Sequence, residues 1–124
     1  MKQIITLIAV LSFWIVNGQT TLIPDPFFEQ WLITHGHDTG TPDGSVPTAN
    51  IDTLVALSIS TDTNITDLTG IEAMIALVEF YVGWCPLITS IDFSSNIALK
   101  KITCPVNLSL SSINVSNNPL LEDL

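Results

Sequence analysis

The chain has 124 residues, 47% of them apolar and only 12% charged, which excludes a charge-rich disordered chain and leaves room for one domain. Twelve Asp/Glu face three lysines and no arginine, a formal charge of −9. The basic stripe that a nucleic-acid binder lays against phosphates is therefore missing, and anionic membrane surfaces are excluded for the same reason. Residues 1–18 read as a signal peptide. Lys2 precedes Ile4–Val16, thirteen largely apolar residues without a charge, too few for a bilayer span of about 20 residues. Asn17-Gly18 then form a small polar region before Gln19, where cleavage is expected. A retained anchor and a buried N-terminal helix are the alternatives. The cleavage region holds no cysteine, so it is not a lipoprotein signal. Removal of residues 1–18 predicts a secreted or cell-surface protein with no membrane span afterwards.

Residues 19–53 read as a helical cap and a linking loop. Asp25 suits a helix N-cap, with Pro26 at the first position, where its missing N–H would be orphaned anyway. Phe28, Trp31 and Leu32 make one apolar stripe and Gly36 is a stop signal. The loop His37–Asn50 carries Pro42, Asp43-Gly44 and Pro47, all turn formers.

From residue 54 the chain keeps a beat. An apolar-x-x-apolar-x-apolar unit begins at 54, 65, 77, 88, 99, 110 and 121. The spacing is eleven residues, with one step of twelve, and two beats make a period of 22 or 23. Within Leu77-x-x-Phe80-x-Val82, Phe80 and Val82 face one way while Glu79 and Tyr81 face the other, the alternation of a short strand. Turn formers separate the copies, as in Ser94-Ser95-Asn96 and Ser116-Asn117-Asn118-Pro119. An eleven-residue strand and turn has no core of its own, but it buries its apolar side by stacking on the copy one full turn away. The expected architecture is mainly β: a short solenoid of about three 22–23-residue turns of parallel strands behind the helical cap. One sheet is expected from 56–59, 79–82 and 101–104, and a second array from 66–68, 90–93 and 112–115.

Leu77-x-x-Phe80-x-Val82-x-x-Cys85-x-Leu87 and Leu99-x-x-Ile102-x-Cys104-x-x-Asn107 resemble the leucine-rich repeat. Asn64-Ile65-Thr66-Asp67-Leu68-Thr69-Gly70-Ile71-Glu72 is similar to the repeat junction of internalin-like proteins. The Ser-Ile-Asp-Phe-Ser-Ser-Asn and Ser-Ile-Asn-Val-Ser-Asn-Asn-Pro runs, with the lead-in Pro24–Gln30, resemble secreted repeat proteins of Bacteroidota. The resemblance covers residues 24–124 and implies a secreted or surface binding protein. Cys85 stands where such repeats carry asparagine and Ser109 where they carry leucine.

Signs of catalytic chemistry are sparse. His35 and His37 are two imidazoles without a third ligand of their kind nearby, and His35 fits a helix end. Calcium-loop spacing around Gly44 puts Thr39, Thr41 and Asn50 where carboxylates are needed. Cys104 falls in an apolar strand column and Cys85 at a turn, so two small buried residues are expected rather than a disulfide. Asp67 and Asp92 occupy equivalent outward positions, a solvated ladder rather than an acid/base dyad. Asn64, Asn107 and Asn114 lie in sequons, and Asp52-Thr53-Leu54 is similar to a short bacterial O-glycosylation motif. No enzyme and no metal or other cofactor is expected.

The favoured function is an adhesion-type module recognising a protein or glycan ligand. Its candidate face comprises Ala56, Ser58, Glu79, Tyr81, Lys101 and Thr103, with Trp84 at the rim. Tyr81 and Trp84 lead because aromatic side chains bring contact area with a polar handle; packing of Trp84 under the adjoining loop is the alternative for that residue. The rival reading is a structural spacer segment of a larger envelope protein. Residues 54–124 read as repeats cut off in a fourth turn at Leu121-x-x-Leu124. That open end predicts a fragment of a longer protein that is marginally stable or self-associating alone.

Overall fold

The computed structural model describes residues 18–61 and 64–124. The apolar segment read as a signal peptide lies outside the described residues. The chain is mostly β with one helix. β1 (Thr20–Leu22) pairs antiparallel with β2 (Ser45–Pro47), and between them runs α1 (Pro26–Thr34). The helix starts where the sequence says it should. One oxygen of Asp25 accepts the N–H groups of Phe27 and Phe28 at 2.8 and 3.1 Å, satisfying two donors that the first turn leaves orphaned. Phe28 and Leu32 are buried and Trp31 is half-buried. Glu29 is buried as well, although it breaks the apolar stripe: its carboxylate accepts the N–H groups of Asp43 and Gly44 at 2.7 and 2.8 Å. Two carboxylates thus tie the helix to its surroundings through charge-assisted hydrogen bonds.

β3 (Ala56–Ser60), β4 (Glu79–Gly83) and β6 (Lys101–Thr103) form a parallel sheet with β4 in the centre, where Phe80 has Leu57 on one side and Ile102 on the other. β5 (Ser90–Asp92) and β7 (Ser112–Asn114) pair in parallel across from it, with Ile91 opposite Ile113. Lys101 makes one further parallel bridge to Asp123. Inward and outward residues alternate along β3, as the period of two requires. Leu57, Ile59, Phe80, Val82 and Ile102 enter one continuous core with Ile65, Ile91 and Phe93. Phe80 and Phe93 meet edge to face with ring centroids 4.8 Å apart, the geometry that aromatic quadrupoles favour. The core continues without a break into Ile23, Phe28, Leu32, Val46 and Ile51 of the cap.

The expected strand at 66–68 does not form. The N–H groups of Thr66 and Asp67 instead donate to the second oxygen of Asp25 at 2.8 and 3.0 Å, joined by the Thr66 hydroxyl at 2.9 Å. Backbone donors taken by a carboxylate are not available to a ladder. The second sheet therefore has two strands.

Asparagines support the turns. The Asn96 amide nitrogen donates to the carbonyls of Ile71 and Met74, and that of Asn118 to Phe93 and Asn96. Asn107 reaches back to the Val82 carbonyl at 2.6 Å and accepts the Cys85 N–H at 2.8 Å. Cys85 therefore does not leave its turn unsupported: the asparagine of the following repeat serves it.

Candidate ligand-binding face

Sheet register brings the candidate residues together. Ala56, Glu79 and Lys101 form one row across β3, β4 and β6, and Ser58, Tyr81 and Thr103 form the next. With parallel strands about 4.8 Å apart, these six side chains floor a shallow groove of about 260 Å³. Glu79 and Lys101 supply the only charges on it, and they are register partners of opposite sign.

Gly83 leaves room for the ring of Tyr81. A Cβ at Gly83 would come within 2.6 Å of the Tyr81 hydroxyl oxygen and 2.9 Å of the ring carbon that bears it. The ring therefore lies along its own strand over the bare backbone two residues on, where only glycine leaves room. This fixes the half-buried phenol toward the rim of the sheet. The sequence carried the signal in its Tyr-x-Gly spacing, since residues i and i+2 share a strand face.

Trp84 stands at that rim with 58% of its surface exposed, so it does not pack under the adjoining loop. Its backbone is left-handed, φ 59°, and so is that of Thr61 at 60° and Val106 at 57°. These three residues are equivalents in successive repeats: Thr61 and Trp84 directly follow β3 and β4, and Val106 lies three residues beyond the shorter β6. The N–H of Thr61 donates to the Gly83 carbonyl at 3.1 Å and that of Trp84 to the Pro105 carbonyl at 3.4 Å. Bulky or β-branched residues are outliers in this conformation, at about 1–2 kcal/mol each. This column was missed at the sequence level, although the repeat alignment places 61, 84 and 106 together.

The remaining candidates are accounted for as structure. Asp67 closes a turn by accepting the N–H and hydroxyl of Thr69 at 2.8 and 2.7 Å. Asp92 does the same for the Ser94 N–H at 2.9 Å, and Asn114 for that of Ser116 at 3.0 Å. Hydrogen bonds from Ser94 hold the Asp92 carboxyl below the usual carboxylate range, as expected when donors face the charged form. His35 caps α1, stacks on Trp31 at 3.8 Å and places Nδ1 2.7 Å from the Trp31 carbonyl. Among the described residues no group of three or more His, Cys, Asp or Glu is placed to hold a metal ion. Cys85 and Cys104 are not bridged to each other, and burial pushes the Cys104 thiol up to about 11. No helix among the described residues is long and apolar enough to cross a membrane.

No family model matches the chain, and no curated protein does. Among solved structures the chain is similar to the functional domain of InlJ from Listeria monocytogenes, a structure that includes a cysteine ladder. The TM-score is 0.54 at 24% sequence identity, over 86% of this chain and 28% of that one. The chain thus spans little more than a quarter of the structure it matches. At this identity the likeness speaks to architecture, and the architecture is similar to that of an internalin-like leucine-rich-repeat protein.

Proposed function

We propose that this chain is the repeat portion of a secreted or surface-attached leucine-rich-repeat binding module. In this reading residues 54–124 are a short solenoid of about three turns, residues 19–53 its N-terminal cap, and residues 1–18 a signal peptide removed on export. The module works without enzymatic chemistry, metal or cofactor. It recognises a protein or glycan ligand through the groove of Ser58, Glu79, Tyr81, Lys101 and Thr103, with Trp84 at the edge.

The observation that carries this reading is the register of β3, β4 and β6. It lines up two rows of outward side chains from residues 56 to 103 on one backbone frame. Inward residues hold the core, so outward ones are open to recognition. Surface complementarity built on a rigid frame avoids much of the ordering cost of binding. The likeness to an internalin-like repeat protein supports the same class.

The test is binding of the purified protein to arrays of surface proteins and of glycans, with Tyr81→Ala and Lys101→Glu as face variants. Saturable binding that falls at least tenfold in both variants is the expected result. Binding untouched by either variant removes the face from the ligand site. No binding on either array favours the spacer reading.

A further inference from the structure

At the centre of the groove an aromatic ring leans along its strand instead of standing up from the sheet. Tyr81 belongs to β4, the middle strand, so register sets both of its flanks: Ser58 on one side and Thr103 on the other. Its ring reaches over Gly83, whose own neighbour on β3 is Ser60. Nothing larger than threonine borders the ring in its own row, and the half-buried phenol keeps part of its surface open to solvent.

The polar groups around the ring are uncommitted. Among the described residues, no hydrogen bond, ion pair or ring contact engages the side chains of Ser58, Glu79, Tyr81, Lys101 or Thr103. The opposite array behaves differently: Asp67, Asp92 and Asn114 each accept a backbone N–H of their own turn. Polar side chains are thus used for folding at one array and left available at the other.

The chemistry of the groove identifies the kind of ligand. Protein interfaces are depleted at their cores in Lys, Glu, Ser and Ala, the types found here at Lys101, Glu79, Ser58 and Ala56. Leu57 and Phe80 lie beneath at 2% and 1% exposure, so the Tyr81 ring is the largest apolar surface presented. Charge alternates along the first row: Glu79, then Lys101, then Asp123 through its bridge to Lys101. An anionic ligand would meet two carboxylates for one ammonium there, in a chain of formal charge −9. A simple cation would meet Lys101 at the middle of the row. A neutral pyranose fits both the ring and the row. Its C–H groups rest on the negative face of an aromatic ring. Its hydroxyls, each a donor and an acceptor, find carboxylate, ammonium and hydroxyl partners beside that ring.

We infer that Tyr81 is the stacking platform of a subsite for a neutral pyranose, whose hydroxyls are bound by Ser58, Thr103, Glu79 and Lys101. The inference rests on the sheet face being the ligand site and narrows its ligand to a neutral glycan.

Tyr81 is the one tyrosine of the chain, so tyrosine ring signals in an NMR spectrum report on this position alone. The full chain with labelled tyrosine is titrated with neutral oligosaccharides of glucose, galactose, mannose and N-acetylglucosamine. Sialylated and uronic-acid oligosaccharides are the charged controls, and a displayed library of random dodecapeptides is the protein-type probe. Saturable shifts of the tyrosine signals are expected with at least one neutral oligosaccharide and weaker binding with the acidic ones. Tyr81→Ala should weaken that binding about tenfold, while Tyr81→Phe, which keeps the stacking ring, should stay within about threefold. Gly83→Ala should also weaken it, because the added Cβ, 2.6 Å from the phenol oxygen, lifts the ring without removing any ligand-contacting group.

A neutral oligosaccharide that binds without moving the tyrosine signals overturns the subsite, and so does undiminished binding by Tyr81→Ala. Tyr81 lies outside the buried core, so its variants decide the matter even where Gly83→Ala does not fold. Preference for the acidic oligosaccharides overturns the neutral ligand. Peptides that bind and are lost with Lys101→Glu, with no oligosaccharide bound, overturn the sugar and leave the face reading standing. Silence from oligosaccharides and peptides alike overturns both.

Discussion

Asp25 and Thr66 lie 41 residues apart, yet one carboxylate oxygen receives both the backbone N–H and the hydroxyl of Thr66, at 2.8 and 2.9 Å. The other oxygen caps α1. A single nearly buried side chain therefore joins the cap to the first repeat. Burial pushes its pKa up, but hydrogen bonds from Thr66, Phe28 and Asp67 outweigh this and hold it below 3.8. In the window below 3.8 the unfolded chain takes up the proton before the folded one does. The Asp25 contribution is thus complete above about pH 4 and is lost as pH falls through the folded value. Asp25→Asn should cost about 2 kcal/mol at neutral pH, because its amide turns a donor toward N–H groups. It should also flatten the acid limb of a pH–stability curve followed by tryptophan fluorescence.

Gly70 should be the least replaceable glycine. Its φ is 110°, and a Cβ there would collide with Ile23 Cδ1 and approach the Leu22 carbonyl to 2.9 Å. Both obstacles belong to the cap, and Ile23 is wholly buried. Gly70→Ala should lose about 3 kcal/mol in urea unfolding. Gly40→Ala, at φ 82° with nothing within 4 Å, should lose only about 1 kcal/mol from the backbone. Equal losses would mean that the cap yields at Ile23.

The Asn96 amide nitrogen serves two buried carbonyls, Ile71 at 2.8 Å and Met74 at 3.1 Å. Asn96→Ala should therefore cost about 3 kcal/mol, since each stranded acceptor keeps its desolvation penalty. Asn118→Ala should cost less, because Asn118 is 8% exposed and water has access to what it leaves. Chemical denaturation of the two variants side by side measures the difference.

Cys104 should resist alkylation. With the thiol at about 11 rather than 9.0, its thiolate fraction near pH 8 falls by about 100-fold, and the reaction slows in proportion. Mass spectrometry after iodoacetamide treatment should show Cys104 modified only when the protein is unfolded by urea. Rapid labelling of the folded chain would contradict the burial of this side chain.

The three-stranded sheet and the start of α1 were legible because each rests on local chemistry. Leu77-x-x-Phe80-x-Val82 and its copies fix which residues turn inward, and a period of 22 or 23 fixes which ones meet. Ile65-x-x-Leu68 carries the same pattern and both residues are buried, but the pattern does not say what its backbone donors will find. They find Asp25, from a helix that the beat does not include. Glu29 was illegible for the same reason: its partners at Asp43 and Gly44 are reached only once the loop folds back. The groove was readable from alternation, whereas the left-handed backbone of Trp84 was not, since nothing in its side chain favours that conformation.

From Ala56 to its neighbour Glu79 the chain takes 23 residues, and from Glu79 to Lys101 it takes 22, yet the two pairings share one register. The surplus residue is taken up between the strands and never reaches them. One residue more or less in that arc leaves the pairing intact, while an insertion inside a strand would turn the side chains beyond it to the opposite face. The repeat thus has two separable parts: arcs whose length differs by one residue between the two turns, and strands whose pairing is unaffected by that difference. Strand register in this chain therefore does not depend on connecting arcs of equal length.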